Sequence, residues 1–231
     1  MNQQLETAAR LKAAATIILI RQGADGPEVL MGQRGADAAF MPNKFVFPGG
    51  ALDADDAAVA LAGTPEARCL ARLDAHPASG APATAHGLVA AAIRELWEET
   101  GLALGRPGQW AGEVPPAWAD FAARGLVPDG SALRFVFRAI TPIGRSRRFD
   151  ARFLLADATA ICGDADDFTL AQDELSHLQW VALHKARGFD LPFITEVVLA
   201  EIGQHMKDPG LDEGVPFFDN STMQPVFRRL V

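Results

Sequence analysis

Three carboxylates on one helical face set the strongest constraint on this chain. They lie in RELWEETGL, residues 94–102, at Glu95, Glu98 and Glu99. Each helical residue advances by about 100°, so Glu98 falls at about −60° and Glu99 at about +40° from Glu95. Like charges at such spacings destabilise an isolated helix by about 0.2–0.5 kcal/mol per pair. Arg94 is the only cation in the stretch. Two environments offset the repulsion: a solvated, salt-bridged surface, or a divalent cation with oxygen ligands. The spacing predicts a helix over about residues 87–100, stopped at Gly101.

The rest of the chain reads as strands and helices without clean strand–helix–strand alternation, so a mixed sheet flanked by helices is expected. TIILIRQ and EVLMGQR around GADG predict a β-hairpin. KFVFPGG predicts a short strand stopped by Pro48 and two glycines. Alanine-rich residues 54–76 predict one or two short helices, with Thr64 as N-cap and Pro65 at the first helical position. PPAWADFAARG predicts a further short helix. ALRFVFRAI, RFDARFLLA and LSHLQWVAL predict strands. LPFITEVVLAEIGQHM predicts a closing helix with Phe193, Val197, Ala200 and Ile202 on its inner face. The tail 207–231 has no clear period and is expected to be irregular, covering the cleft or serving a partner copy.

Bulk properties exclude several functions. A net charge of −8 argues against a nucleic-acid surface, while leaving room for a phosphorylated small molecule neutralised by metal ions. The apolar run 13–20 is shorter than the ~20 residues a membrane span needs. No small-residue cleavage site follows it, so no signal peptide is expected. Cys69 and Cys162 form no CxxC pair, which fits a reducing, cytoplasmic setting. The five histidines show no HExxH spacing and there is no GxSxG, so zinc and serine-nucleophile chemistry find no support.

RELWEETGL resembles the second half of the Nudix box, REUxEExGU, at all nine positions from Arg94 to Leu102. The first half, Gx5E, is represented by Gly50 and Asp56, with Asp in place of Glu. Residues 57–93 then separate Asp56 from Arg94. That is 30 residues more than the seven of the ordinary box. GGALDADD is similar to the GGxxDxxD form of the coenzyme A diphosphatase branch, through Asp53 and Asp56. The long insertion, FMPNKFVFPGG before it and RFDARF after it resemble acyl-CoA diphosphatases, although no His lies between Arg34 and the FPGG.

The resemblance implies a single Nudix domain over residues 1–231, an α/β/α sandwich with a mixed sheet and a loop–helix–loop catalytic box. Its core would cover about residues 13–206, with a helical insertion at about 57–86 that either packs over the cleft or lies outside it. It implies Mg²⁺ or Mn²⁺ held by Glu95, Glu98, Glu99 and the carbonyl of Gly49, with Arg94 orienting a carboxylate. Glu98 shares metal binding or activates water, and Glu174 is a further candidate ligand or base. Arg34, Lys44, Arg145, Arg147 and Arg148 are candidate phosphate-binding residues. Each has a plainer alternative as a surface turn or strand-edge charge. The implied partner is a small-molecule diphosphate, with neither nucleic acid nor membrane, and a homodimer stays open. The implied reaction is hydrolysis of coenzyme A or acyl-CoA to 3′,5′-ADP and (acyl-)phosphopantetheine. ADP-ribose or NADH is the alternative substrate, and a non-catalytic ligand sensor is the alternative of another class.

Overall fold

A computed structural model describes residues 9–78, 80–207 and 213–231. In chain order the elements are β1 (Leu11–Gly23), β2 (Gly26–Arg34), β3 (Phe45–Val46), β4 (Gly49–Ala51), α1 (Ala67–Asp74) and α2 (Ala85–Thr100). Next come β5 (Gly105–Pro107), α3 (Ala119–Ala123), β6 (Leu126–Pro128), β7 (Arg134–Ile140) and β8 (Arg148–Asp157). The last are β9 (Leu175–Ala182), α4 (Phe193–Lys207), β10 (Val215–Asp219) and β11 (Val226–Leu230).

A mixed nine-stranded sheet runs in the order β11-β10-β7-β8-β1-β2-β3, with β4 paired to β1 and β9 to β2. Its centre is the parallel pairing of β1 with β8 from Leu11 to Ile20. The strand period of two sends alternate residues of β1 to opposite faces. Leu11, Ala13, Ala15, Ile17 and Leu19 join the core shared with α2, while Ile18 and Ile20 join the core under α4. Burial on both faces explains why β1 reads as a continuous apolar run. In β7 a bulge between Phe135 and Phe137 breaks the alternation and places those two rings on opposite faces. The architecture is the expected mixed α/β fold with helices on both faces. Among the described residues no helix is long and apolar enough to cross a membrane.

The predicted hairpin forms with its turn between Gly23 and Gly26. Four expectations need correction. KFVFPGG holds the expected short strand before Pro48, β3, but the two glycines do not end it: they begin β4, paired with Ala14–Thr16. α1 begins at Ala67 after Glu66, not at Thr64 and Pro65. Backbone bonds to Pro128 and Gly130 hold Ala62 and Gly63 extended and delay the helix. α4 buries Thr195, Val198, Leu199 and Ile202, leaving Phe193 69% exposed. The tail is not irregular. β10 and β11 form a hairpin that extends the sheet beyond β7, and Phe217 lies under the Arg138 guanidinium at 4.3 Å. Residues 208–212 of the tail lie outside the described residues.

Residues 57–86 are built into the α2 core rather than laid over it. Leu73, Ala81 and Ala85 are buried there. Arg138 donates to the Ala75 carbonyl at 3.0 Å and pairs with Asp150 at 2.8 Å, while Arg152 pairs with the same carboxylate at 2.9 Å. All three charged groups are buried in the sheet beneath this segment.

Candidate active site

Helix α2 carries the carboxylates, and its ends are closed. The Thr84 hydroxyl accepts from the Gly87 amide at 3.1 Å, and Asp74 accepts from the Ala85 amide at 2.6 Å. These satisfy two of the four orphan donors of a helix N-terminus. At the other end Gly101 adopts φ 73°, and its amide bonds the Trp97 carbonyl at 2.8 Å. Of the sixteen residues only His86 and Glu98 are not buried. A helix enclosed on all sides holds its side chains in fixed positions, and the charged ones must find partners inside.

Arg94 is the main internal partner. It is 4% exposed, and its guanidinium grips Asp56, 1% exposed, through two bonds of 3.0 Å. The same group donates to Glu95 at 2.8 Å, Glu98 at 2.9 Å and the Ala51 carbonyl at 3.0 Å. Asp53 lies 3.8 Å away. The box acid, present here as Asp56, therefore serves as the anchor of Arg94. The Asp56 carboxylate also accepts from the Asp53 amide at 2.8 Å, closing the loop after the glycines.

The glycine pair meets the helix directly. The Gly49 amide donates to Glu99 at 2.8 Å. A Cβ on Gly49 would lie 2.6 Å from the Ala15 carbonyl oxygen, and one on Gly50 would lie 2.4 Å from the Glu95 carboxylate. Only glycine admits this approach. Gly50→Ala is expected to displace Glu95 and lower turnover about tenfold or more, a typical cost for disturbing a ligand's support. Thermal unfolding should change less, because what must move is the end of the Glu95 side chain and not the backbone. Parallel kcat and melting measurements check this.

Four carboxylates surround one guanidinium here, and the shortage of positive charge shows in the acidity of the glutamates. Burial pushes Glu95 up to about 7 against the pull of Arg94. Burial and the Glu95 charge push Glu99 well above the ordinary range, and burial also raises Glu98. Glu99 Oε1 is buried without a hydrogen-bond partner. Among the described residues no three acid, imidazole or thiol groups are already gathered as a metal cage. Glu95 and Glu98 are drawn to Arg94 instead. An unpaired buried oxygen, neighbouring oxygen ligands and excess negative charge fit a hard divalent cation.

These shifts have a sign. A carboxyl whose folded pKa is raised binds more protons folded than unfolded, so its contribution to stability falls as pH rises. For Glu95 the window runs from its ordinary 4.5 to about 7. In chelator, Glu95→Gln is expected to flatten the decline in stability across that window, as read by denaturant unfolding at stepped pH.

The remaining predicted residues divide. Arg34, Arg147 and Glu174 line one cleft of about 370 Å³ with Asp37 and Asp173. Arg34 pairs with Glu174 at 3.0 Å. Lys44 is paired with Asp190, and Arg145 is exposed in the turn before β8. Arg148 departs from expectation. It is buried, and it donates to the Thr141 carbonyl at 3.1 Å and the Asn220 carbonyl at 3.3 Å, joining β8 to the tail. It is no free phosphate-binding cation. Sequence reasoning missed the Asp56–Arg94 pair as a unit. The signal was available, since an arginine among apolar helix residues requires a buried acid.

No protein-family model matches the chain, and no curated protein matches it. Solved structures do. The NUDIX hydrolase from Alicyclobacillus acidocaldarius shares 28% identity over 83% of this chain and 90% of its own, with a TM-score of 0.61. A Nudix hydrolase from M. smegmatis, RenU, shares 15% over 88% and 89%, with a TM-score of 0.47. The NUDIX domain of Shewanella oneidensis NrtR, solved with ADP ribose, shares 12% over 89% and 94%, with a TM-score of 0.49. The first carries the weight, and it supports the Nudix family. Fold and box together are similar to those of Nudix hydrolase enzymes.

Proposed function

We propose that this enzyme hydrolyses a diphosphate linkage in a nucleotide derivative, with coenzyme A or an acyl-CoA as substrate. The products are 3′,5′-ADP and (acyl-)phosphopantetheine. The observation that carries the reaction class is the buried, cation-poor carboxylate cluster held against the Gly49–Gly50 backbone, with Glu99 Oε1 unpaired. Glu95, Glu98, Glu99 and the Gly49 carbonyl would hold Mg²⁺ or Mn²⁺. Such an ion neutralises charge on a diphosphate and lowers the pKa of a water. Arg94 keeps Glu95 and Glu98 in fixed rotamers. Glu98, the least buried of the three, is the carboxylate that takes a proton from water.

The substrate assignment rests on different support. GGxxDxxD and the long segment 57–86 point to coenzyme A, and Arg34 and Arg147 in one cleft suit an additional phosphate such as its 3′-phosphate. The burial of Arg148 removes one expected cation and favours ADP-ribose or NADH as the second reading. We read the whole chain as one domain working in a reducing cytoplasm, where free Cys69 and Cys162 persist.

The test is turnover of coenzyme A, an acyl-CoA, NADH and ADP-ribose in Mg²⁺ and in Mn²⁺, with product identification. Release of 3′,5′-ADP is expected. AMP released from NADH or ADP-ribose alone would keep the reaction class and replace the substrate. Binding without turnover of any of them would favour a ligand sensor.

A further inference from the structure

We infer that Arg34 is a positioning residue that holds Glu174 away from the Glu95–Glu99 pair until an anionic substrate group takes the guanidinium in exchange. The inference rests on the metal reading of the same carboxylates and adds a moving part to it.

The geometry starts from the loop before β9. The Gln172 amide donates to the Glu98 carbonyl at 2.9 Å, which ties the loop to the C-terminal turn of the catalytic helix. Leu170 and Ala171 pack so closely on Gly101 that a Cβ there would lie 2.7 Å from Leu170. Glu174 follows two residues after that anchor. Immediately beyond, β9 bulges opposite Gly32, with His177 at φ 52°. The anchor on one side and the bulge on the other fix the backbone of Glu174 beside the carboxylate helix. Its charge adds to the upward push on the pKa of both Glu95 and Glu99, so it lies within their electrostatic reach.

The side chain nevertheless turns to Arg34, at 3.0 Å, and stays 56% exposed. Arg34 also acts on Glu99, whose carboxylate it favours through its charge. One guanidinium is therefore paired with one acid while its charge also reaches a second acid that repels the first. Its Nε is buried and unpaired, so its donors are not all used by Glu174. Arg147 lines the same cleft and offers a second cation to an entering anion. A phosphate oxygen pair matches the guanidinium fork as well as a carboxylate does. Exchange of Glu174 for phosphate would free a fourth carboxylate beside Glu95 and Glu99 at the moment the substrate arrives.

The test is Mn²⁺ binding without substrate, read by electron paramagnetic resonance of free Mn²⁺. Wild type, Arg34→Gln, Glu174→Gln and the double variant form the cycle. Arg34→Gln is expected to tighten Mn²⁺ about tenfold, and that gain should vanish when Glu174 is also replaced. A gain of equal size in the Glu174→Gln background would mean simple removal of a positive charge, and would overturn the exchange. No change in Arg34→Gln would overturn it as well. Wild type that binds no Mn²⁺ would sink the metal reading itself, an outcome distinct from an additive cycle. Methylene bisphosphonate, a non-hydrolysable diphosphate, should tighten Mn²⁺ in wild type more than in Arg34→Gln. An equal effect in both would show that the anion does not take Arg34.

Discussion

Glu99→Gln is expected to lower turnover by about a thousandfold while making the metal-free protein more stable. The two effects have opposite signs because one oxygen is responsible for both. Glu99 is 2% exposed, its Oε1 has no partner, and burial with the Glu95 charge opposes its ionisation. A glutamine keeps the shape and can still accept from the Gly49 amide, so the backbone contact survives. It removes a buried carboxyl whose charge is only partly offset, by the Gly49 amide and the Arg34 charge, in the metal-free fold. Turnover suffers because charge neutralisation by a bound ion is worth several kcal/mol, and about 4 kcal/mol corresponds to about a thousandfold in rate. The measurements are kcat in Mg²⁺ and unfolding in chelator. A further expected signature is that Mn²⁺ stabilises the wild type against heat and the variant much less. Undiminished turnover would remove Glu99 from the site. Lost turnover with a lower melting temperature would show a cluster already compensated without metal.

Arg94→Met is expected to be the most destabilising single change in the site. It strands Asp56, 1% exposed, with no cation, and leaves Glu95, Glu98 and the Ala51 carbonyl without their donor. Breaking a buried pair by removing one partner costs about 3–5 kcal/mol. In a chain of 231 residues each kcal/mol moves the melting point by about 2–4 °C, so a drop of roughly 6–20 °C is expected. Arg94→Met with Asp56→Leu should regain part of the loss, because the orphaned acid is gone as well. Arg94→Lys should keep more stability than Arg94→Met, yet lose about 10–100-fold in turnover. An ammonium cannot hold Asp56 through two bonds while still reaching Glu95 and Glu98. A double variant no more stable than Arg94→Met would show that Asp56 is not what Arg94 neutralises.

Local features were legible in the sequence. The helix with its acids on one face, its stop at Gly101, the hairpin at GADG and the strand β8 each follow from spacings or from a short-range glycine requirement, and the structure shows them all. The box pointed to the fold despite the 30 extra residues. Loop closure explains why such a segment can be tolerated, since its cost grows by only ~0.6 kcal/mol per doubling of length. The tail and α4 were misread because their pattern depends on what they meet. Phe217 is buried because β10 pairs with β7 and brings the ring against Arg138 and the core shared with α2, and Phe193 stays exposed because α4 turns Val198 and Ile202 inward.

Charge pairing was the other matter that only tertiary structure decided. In the sequence Arg147 and Arg148 are adjacent and equivalent. In the fold one lines the cleft and the other is spent on two backbone carbonyls. Asp56 and Arg94 stand 38 positions apart and meet through two hydrogen bonds. Arg34 and Glu174, 140 apart, form the ion pair at the edge of the site. The residue types and their helical phase were written in the chain. Which carboxylate is neutralised and which is left unpaired was not, because burial and the partner brought up by a distant strand set the charge of each group.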